Sequence, residues 1–275
     1  MKIFAALMFL AMAMLPLADA QAGAAPVSAS PWSESLGGRV RLVAAQASHN
    51  GSPALFAIEF DLKPDWHTYW RVSGDSGLAP GFDWAGSRNV AGTDLRWPAP
   101  RRFDQAGDAS YGYTGHFFIP VLIRAKGAGD PLNVSLVLDY GICANVCVAG
   151  SADLKLDLGV GEPEATIAAP SIGSALELVP NEPANPAELS VERVEKNGGS
   201  ALMVHYLLPE NATAIPTLIA VLDGGIYFDA PQGVRAGRKV SYLLPVSGGG
   251  SLQGRRVTLL LSGEGIAIEA ERTVR

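Results

Sequence analysis

LNVSLVLD, residues 132–139, alternates apolar and polar side chains, and the same alternation recurs in residues 56–62 (FAIEFDL) and 154–158 (LKLDL). Successive side chains of a β-strand point to opposite faces of a sheet, so each segment predicts a strand with one face on a core. Residues 39–45 and 117–124 predict two more strands. Turn-forming residues separate these segments, and no apolar spacing indicates an amphipathic helix longer than about two turns. Short strands with regular turn signals are typical of a β-sandwich.

A proline-rich stretch divides this strand pattern into two parts. Five prolines lie within residues 161–186, among Ala, Glu and Asn, which predicts a linker with one helical turn near residues 174–178. We therefore expect an all-β chain with two β-sandwich domains in tandem, at residues 35–160 and 187–275. The strands predicted after the linker cover residues 189–194, 201–208, 217–222, 240–244, 257–261 and 266–271.

The N-terminus predicts export. Lys2 precedes an apolar run at residues 3–17, and Ala18-Asp19-Ala20 has the small-x-small pattern of a cleavage site. The run is shorter than the roughly 20 residues that a membrane span needs. We expect a signal peptide at residues 1–20, cleaved near Ala20, and a flexible segment at residues 21–34. Later apolar runs are only strand-sized, so we expect a soluble exported chain that does not span a membrane.

Composition and motifs exclude several classes of protein. The formal net charge is −6, which does not favour binding to nucleic acid, because that function calls for a basic face. The four histidines have neither triad nor metalloprotease spacing, and Ser35 is not part of a Gly-x-Ser-x-Gly elbow. We therefore predict neither a cofactor nor a resident metal.

The two cysteines of the chain, Cys143 and Cys147, lie four positions apart. The strand before them ends near Tyr140 and the next begins near Ala152, so the pair lies in or beside a turn. In an oxidising compartment such a pair is expected to be a disulfide at least part of the time. Closing so small a ring stabilises a fold by only about 2 kcal/mol, against about 4.7 for a 100-residue loop. Spacing alone leaves a structural clip and a reversible redox disulfide equally open.

The charges around the pair favour a passive disulfide. Within seven residues of either cysteine, the charged residues are Asp139 and Asp153. A self-activated thiol needs a nearby cation or helix N-terminus, so these neighbours fit a disulfide that a partner's thiolate attacks. Two thiolates could instead hold Cu(I), which remains an alternative.

Aromatic residues form two further motifs. Trp66-His67-Thr68-Tyr69-Trp70 places four rings in five residues, and in a strand His67 and Tyr69 would share one face while the tryptophans share the other. Tyr111-Gly112-Tyr113 is the second motif. Buried aromatic residues are common in sandwich cores, so the motifs by themselves predict core packing.

The order of these motifs resembles that of the N-terminal periplasmic domain of the DsbD family, and most of all its ScsB-like branch. The resemblance covers about residues 35–160 and implies an immunoglobulin-like sandwich. The second domain is then a further immunoglobulin-like sandwich, by analogy with longer members of that branch. The matching motifs are WHTYW at 66–70, GDSG at 74–77, WP at 97–98, YGY at 111–113, PV at 120–121 and YGICANVC at 140–147.

The resemblance also implies a function in the periplasm. Cys143 and Cys147 match the redox pair, which would take electrons from the thioredoxin-like domain of a membrane electron transporter. It would pass them to periplasmic client proteins, among them disulfide isomerases or the thioredoxins of cytochrome c maturation. Tyr69 matches an aromatic residue near the pair, and Asp108 and Tyr111 match a cap over the disulfide. With His67, these are the predicted shielding residues.

Three departures from the family pattern bear on this expectation. The gap between the cysteines is shorter than in the best-known DsbD domain, and Ser110 stands where a bulky aromatic residue is expected in the cap. The sequence also lacks the transmembrane and thioredoxin-like parts, so we expect a separate membrane partner. Two alternatives stay open, a binding module with a structural disulfide and a Cu(I)-handling protein. The sequence does not decide whether the chain is an enzyme of the protein-disulfide reductase class.

Overall fold

The computed structural model describes residues 28–105, 108–196, 199–222, 226–228, 231, 233–246, 252–263 and 265–275. The predicted signal peptide, residues 1–20, lies outside the described residues, and its cleavage stays a prediction.

Two facing sheets form the first sandwich. One has the strand order β1-β2-β4-β10-β7, and the other has the order β3-β12-β11-β5-β9-β8, with β6 paired to β11. The strands are β1 (Ser33–Ser35), β2 (Gly38–Ala44), β3 (Ser48–His49), β4 (Ala54–Leu62), β5 (His67–Gly74), β6 (Gly81–Asp83), β7 (Val90–Leu95), β8 (Arg101–Gln105), β9 (Asp108–Thr114), β10 (His116–Ala125), β11 (Leu132–Cys143) and β12 (Cys147–Val160).

The predicted alternation places side chains as expected in β11. Leu132, Val134, Leu136 and Leu138 are each at most 1% exposed and pack in the core between the two sheets. Burial of an apolar side chain of this size contributes about 1.5–3 kcal/mol. The strand predictions around this core are therefore confirmed.

A helix covers part of the outer surface of the first sandwich. Helix α1 (Ala169–Glu177) lies within the predicted linker and buries Ile172 against Val43 and Ala57. It is longer than the predicted single turn and begins earlier, because proline is tolerated in the first turn of a helix, where Pro170 stands. The linker is thus attached to the first sandwich.

In the described residues, the second sandwich has two four-stranded sheets, with the orders β13-β14-β18-β17 and β16-β15-β19-β20. All six strands predicted after the linker are present. A short 3₁₀ turn (Pro186–Glu188) precedes them. The strands are β13 (Leu189–Lys196), β14 (Gly199–Leu207), β15 (Thr217–Leu222), β16 (Ile226–Tyr227), β17 (Gly233–Ala236), β18 (Lys239–Pro245), β19 (Arg256–Gly263) and β20 (Ile266–Thr273). The predicted all-β architecture with tandem sandwiches is confirmed.

The two sandwiches share an apolar contact. Ile219 of β15 and Leu260 of β19 are each 1% exposed and belong to the core cluster of the first sandwich, although their sequence neighbours pack in the second. Arg71 of β5 also forms an ion pair with Glu269 of β20. The second sandwich therefore packs against β5, the strand that also reaches the cysteine pair.

Candidate functional site

The cysteine pair closes the end of a long hairpin. Strands β11 and β12 pair in continuous register from Leu132↔Leu158 to Cys143↔Cys147, so the cysteines are the last pair before the turn. Their Cα atoms are 4.1 Å apart and their sulfur atoms form a disulfide. The predicted strand–turn–strand placement is confirmed, and the disulfide that the sequence led us to expect is closed in this structure.

The two sulfur-bearing residues differ in exposure. Cys143 is 1% exposed, whereas Cys147 lies at the surface on the outward face of β12. A thiol that approaches from solvent therefore meets Cys147 first.

The phenol of Tyr69 contacts the disulfide. Strand β5 pairs with β11 through Cys143↔His67, which brings Tyr69 beside the hairpin end. Its hydroxyl lies 2.7 Å from Cys143 Sγ and 3.7 Å from Cys147 Sγ. A disulfide sulfur carries no proton, so the hydroxyl is the donor. Burial raises the pKa of Tyr69 above its usual value, and the donor proton is retained at neutral pH.

Two glycines leave room for the Tyr69 ring. A Cβ atom at Gly77 would lie 2.5 Å from Cζ of the ring, and one at Gly141 would lie 2.9 Å from Cδ2 and Cε2 on the other edge. Any side chain at either position would displace the ring, since real Cβ atoms do not approach this closely. The glycines therefore fix where the hydroxyl points.

A cavity of about 220 Å³ opens onto the disulfide. Sequence reasoning missed Leu78, Val148 and Ala149 in its wall. The alternation of β12 could have indicated Ala149, which shares the outward face of Cys147, but no local pattern singles out Leu78. The lining residues are Tyr69, Gly77, Leu78, Gly141, Cys143, Cys147, Val148 and Ala149.

His67 lies next to the site without lining this cavity. Its ring stacks on Phe103 with centroids 4.6 Å apart and meets the Tyr69 ring edge-on at 5.4 Å. Burial lowers the pKa of His67 below its usual value, so the neutral imidazole is favoured. The structure thus brings His67, Tyr69 and the cysteines together.

The two predicted cap residues lie elsewhere. Tyr69 pairs with Gly112, so neighbouring Tyr111 points to the opposite face of the sheet, where it is 1% exposed in the core. Its hydroxyl accepts a hydrogen bond from Arg102. Asp108 is exposed at the start of β9. Neither residue lines the disulfide cavity.

Within the described ranges, no group of three or more His, Cys, Asp or Glu side chains could hold a metal ion. Within the same parts of the chain, no helix has the length and apolarity that crossing a membrane requires.

Comparison with known proteins gives one family model and several solved structures. Residues 39–158 match the family model described as thiol:disulfide interchange protein DsbD, N-terminal. The crystal structure of the N-terminal periplasmic domain of ScsB from Proteus mirabilis is similar, with a TM-score of 0.71 and 22% identity, over 90% of this chain and 99% of that chain. Tandem immunoglobulin domains of titin match with a TM-score of 0.23 and 10% identity, over 91% of this chain and 97% of that chain. No curated protein sequence matches the chain.

The chain therefore contains a DsbD N-terminal-like domain with an immunoglobulin-like fold, as the sequence motifs indicated. The cysteine pair of this domain is closed as a Cys143–Cys147 disulfide, and the family model that the domain matches is that of a thiol:disulfide interchange protein.

Proposed function

We propose that the chain is a periplasmic thiol:disulfide relay. It takes two electrons from the thioredoxin-like domain of a membrane electron transporter and passes them to periplasmic client proteins, with cytochrome c maturation among the processes served. The observation that carries this proposal is the asymmetry of the disulfide. Cys147 is exposed to attack, and Cys143 is buried with a hydroxyl donor 2.7 Å from its sulfur.

The first step is attack on the exposed sulfur. A thiolate of the donor protein bonds to Cys147 Sγ, the Cys143–Cys147 bond breaks, and its electron pair stays on Cys143 Sγ as a thiolate. Tyr69 already donates a hydrogen bond to this sulfur, and a hydrogen bond to a charged acceptor is roughly twice as strong as one to a neutral acceptor. The geometry therefore stabilises the leaving group.

The second step resolves the mixed disulfide. The donor's second thiolate attacks the donor sulfur that is bonded to Cys147, which closes the donor disulfide and releases the Cys147 thiolate. Protons from solvent then convert both thiolates to thiols. The chain has gained two electrons and two protons, and the same steps in reverse reduce a client disulfide.

Single-cysteine variants test the assigned order. Cys143→Ser leaves the exposed Cys147, which we expect to form a mixed disulfide by displacing thionitrobenzoate from the activated single cysteine of a thioredoxin whose resolving cysteine is removed. Cys147→Ser leaves the buried Cys143, which we expect to be trapped far more slowly. The double Ser variant is the control for non-specific adducts. Equal trapping of both single variants would contradict the assigned order.

The reduction potential tests whether the disulfide is a relay at all. Equilibration of the purified chain with glutathione or dithiothreitol should give a value of roughly −120 to −270 mV, the range of thioredoxin-like proteins. A value below about −300 mV is that of a structural disulfide. It would favour the binding-module alternative instead.

A further inference from the structure

We propose that the loop of residues 75–80 is the shield of the disulfide, and that Leu78 on this loop determines which thiols reach it. The inference rests on the proposed relay, for which selectivity between protein and small-molecule thiols matters. It assigns the shielding role to a segment other than the one that contains Asp108 and Tyr111.

The base of the loop is fixed on strand β9. Gly74 ends β5 opposite Ser110 with φ +96, a left-handed conformation that glycine adopts without strain. Beyond it, Asp75 N–H donates to the carbonyl of Ala109 at 2.8 Å, and Ala109 N–H donates to the Asp75 carboxylate at 3.0 Å. This reciprocal pair of hydrogen bonds directs the chain back over the hairpin end.

The middle of the loop lies against the Tyr69 ring. Gly77 has φ +112 and leaves no space for a Cβ atom beside the ring. The loop and the phenol therefore contact each other through a glycine backbone. Since the phenol in turn contacts Cys143, the position of the loop is tied to the disulfide.

Leu78 then lies at the mouth of the cavity. Its Cβ atom is close to Gly141, and it lines the cavity together with both cysteines. The side chain is nevertheless 50% exposed, so it contributes little to a core. An apolar side chain at this place removes water from the path to the sulfur atoms, which disfavours a charged small thiol because it must lose hydration to enter.

A protein partner meets this residue differently. A thioredoxin-like protein that presents an apolar surface around its cysteine would bury Leu78 and gain contact area from it. The same side chain thus hinders glutathione and helps a protein thiol. Leu78 is in this sense a specificity-determining residue, which does not take part in the exchange chemistry.

The test measures the rate at which glutathione reduces the disulfide of the full mature chain, with thiol trapping as the readout. We expect Leu78→Ala to raise the rate constant about threefold or more, because solvent thiols gain access to the disulfide, and Leu78→Phe to lower it. Leu207→Ala is the matched control, since Leu207 is a 41% exposed leucine on the second sandwich. A change below about twofold in Leu78→Ala, or an equal change in Leu207→Ala, would overturn the proposal.

A second reductant keeps this proposal separate from the relay. Reduced thioredoxin should react with Leu78→Ala no faster than with the unaltered chain, because the apolar contact is lost. Glutathione reduces the disulfide without a protein partner. Its rate constants therefore test the shielding role of Leu78 even when thioredoxin fails to reduce the unaltered chain. That failure would count against the relay alone.

Discussion

The hydroxyl of Tyr69 donates a hydrogen bond to Cys143 Sγ across 2.7 Å, and the sulfur that it reaches is the buried one of the pair. The contact is built from main-chain pairing, because β5 meets β11 at Cys143↔His67 and the Tyr69 ring then lies between the backbones of two glycines. A proton donor is therefore in place before any electron arrives. In the proposed exchange, Cys143 Sγ is the first sulfur to become a thiolate, and it already accepts the hydrogen bond from Tyr69.

Removing this hydroxyl should slow exchange. In Tyr69→Phe the ring keeps its place and the donor to the leaving thiolate is lost. A hydrogen bond to a charged group contributes about 1.5–3 kcal/mol, and 1.36 kcal/mol is a factor of ten in rate, so we expect reduction by thioredoxin to be about tenfold slower. Stopped-flow measurement of the reaction gives the rate constant directly.

Tyr113→Phe is the matched control for that experiment. The Tyr113 hydroxyl is also buried and donates to the carbonyl of Pro98 at 2.7 Å, but it makes no contact with either cysteine among the hydrogen bonds of the described residues. We expect some loss of stability and an unchanged exchange rate. If the exchange rate fell equally in Tyr69→Phe and Tyr113→Phe, the cause would be an effect on folding and not the loss of thiolate stabilisation.

Gly141→Ala should weaken both the fold and the site. The new Cβ atom would lie 2.9 Å from Leu78 Cβ and from the Tyr69 ring, and overpacking of this kind costs about 1–3 kcal/mol. We expect a lower free energy of unfolding in urea and slower exchange, since the hydroxyl must move.

Gly159→Ala provides the comparison within the same hairpin. Gly159 lies in β12, and a Cβ atom there would have no neighbour within 4 Å. The free energy of unfolding of Gly159→Ala should stay unchanged or rise by up to about 1 kcal/mol, since alanine has less conformational freedom than glycine in the unfolded chain. Equal losses of stability in Gly141→Ala and Gly159→Ala would mean that the effect comes from replacing a glycine in a strand and not from contact with the Tyr69 ring.

Local sequence patterns could predict the strands and the position of the cysteine pair. The alternation in residues 132–139 defines the buried face of β11, and the predicted strand ends on either side of the cysteines indicate a turn between them. These features depend on neighbours along the chain. The separation of His67 and Tyr69 from the tryptophans follows in the same way from the two-residue period.

The remainder of the site depends on long-range register, which no local pattern contains. Tyr111 points away from the disulfide because Tyr69 pairs with Gly112, and β5 and β9 then shift in register before Gly74. The exposure of Cys147 and burial of Cys143 likewise follow from where β5 joins β11. Leu78 lies in a loop that has no strand or helix periodicity. Its position therefore depends on how the loop folds and not on a pattern of neighbouring residues.

The contact between the sandwiches had a signal in the sequence. Residues 218–222 (LIAVL) and 257–261 (VTLLL) are nearly continuous apolar runs, and such runs are typical of strands buried on both faces. In the structure, one face of β15 and β19 packs in the second core while Ile219 and Leu260 pack against the first. An interpretation by alternation alone assigns only one of these faces.

Leu260→Ala tests whether this contact joins the sandwiches energetically. Leu260 is 1% exposed in the cluster shared with the first sandwich, and such a truncation costs about 2–5 kcal/mol. We expect a single unfolding transition, lowered as a whole, when tryptophan fluorescence and circular dichroism are followed in urea. All five tryptophans lie before the linker, so fluorescence reports the first sandwich.

The surface variant Leu207→Ala should leave that transition within about 0.5 kcal/mol of the unaltered chain. Loss of stability detected by circular dichroism alone, with fluorescence unchanged, would mean that the sandwiches unfold independently. The ion pair between Arg71 and Glu269 would then be a surface contact with little energetic effect.

The stability of the chain should depend on pH through His67. Burial lowers the pKa of this imidazole in the folded state below its ordinary value of 6.5. Below about pH 6.5 the unfolded chain therefore binds a proton at His67 that the folded chain does not yet bind. The free energy of unfolding should fall as the pH drops from about 6.5 towards the lower folded pKa, with no contribution from His67 above that range.

His67→Phe isolates this effect, because a phenyl ring preserves the stacking on Phe103 and does not titrate. Urea unfolding of both proteins between about pH 7.5 and 5.5 gives the difference in their stabilities, in which the other titrating groups cancel. We expect this difference to shift in favour of His67→Phe as the pH falls. A difference that stays constant would mean that His67 accepts its proton as readily in the folded chain as in the unfolded one, and that burial does not lower its pKa.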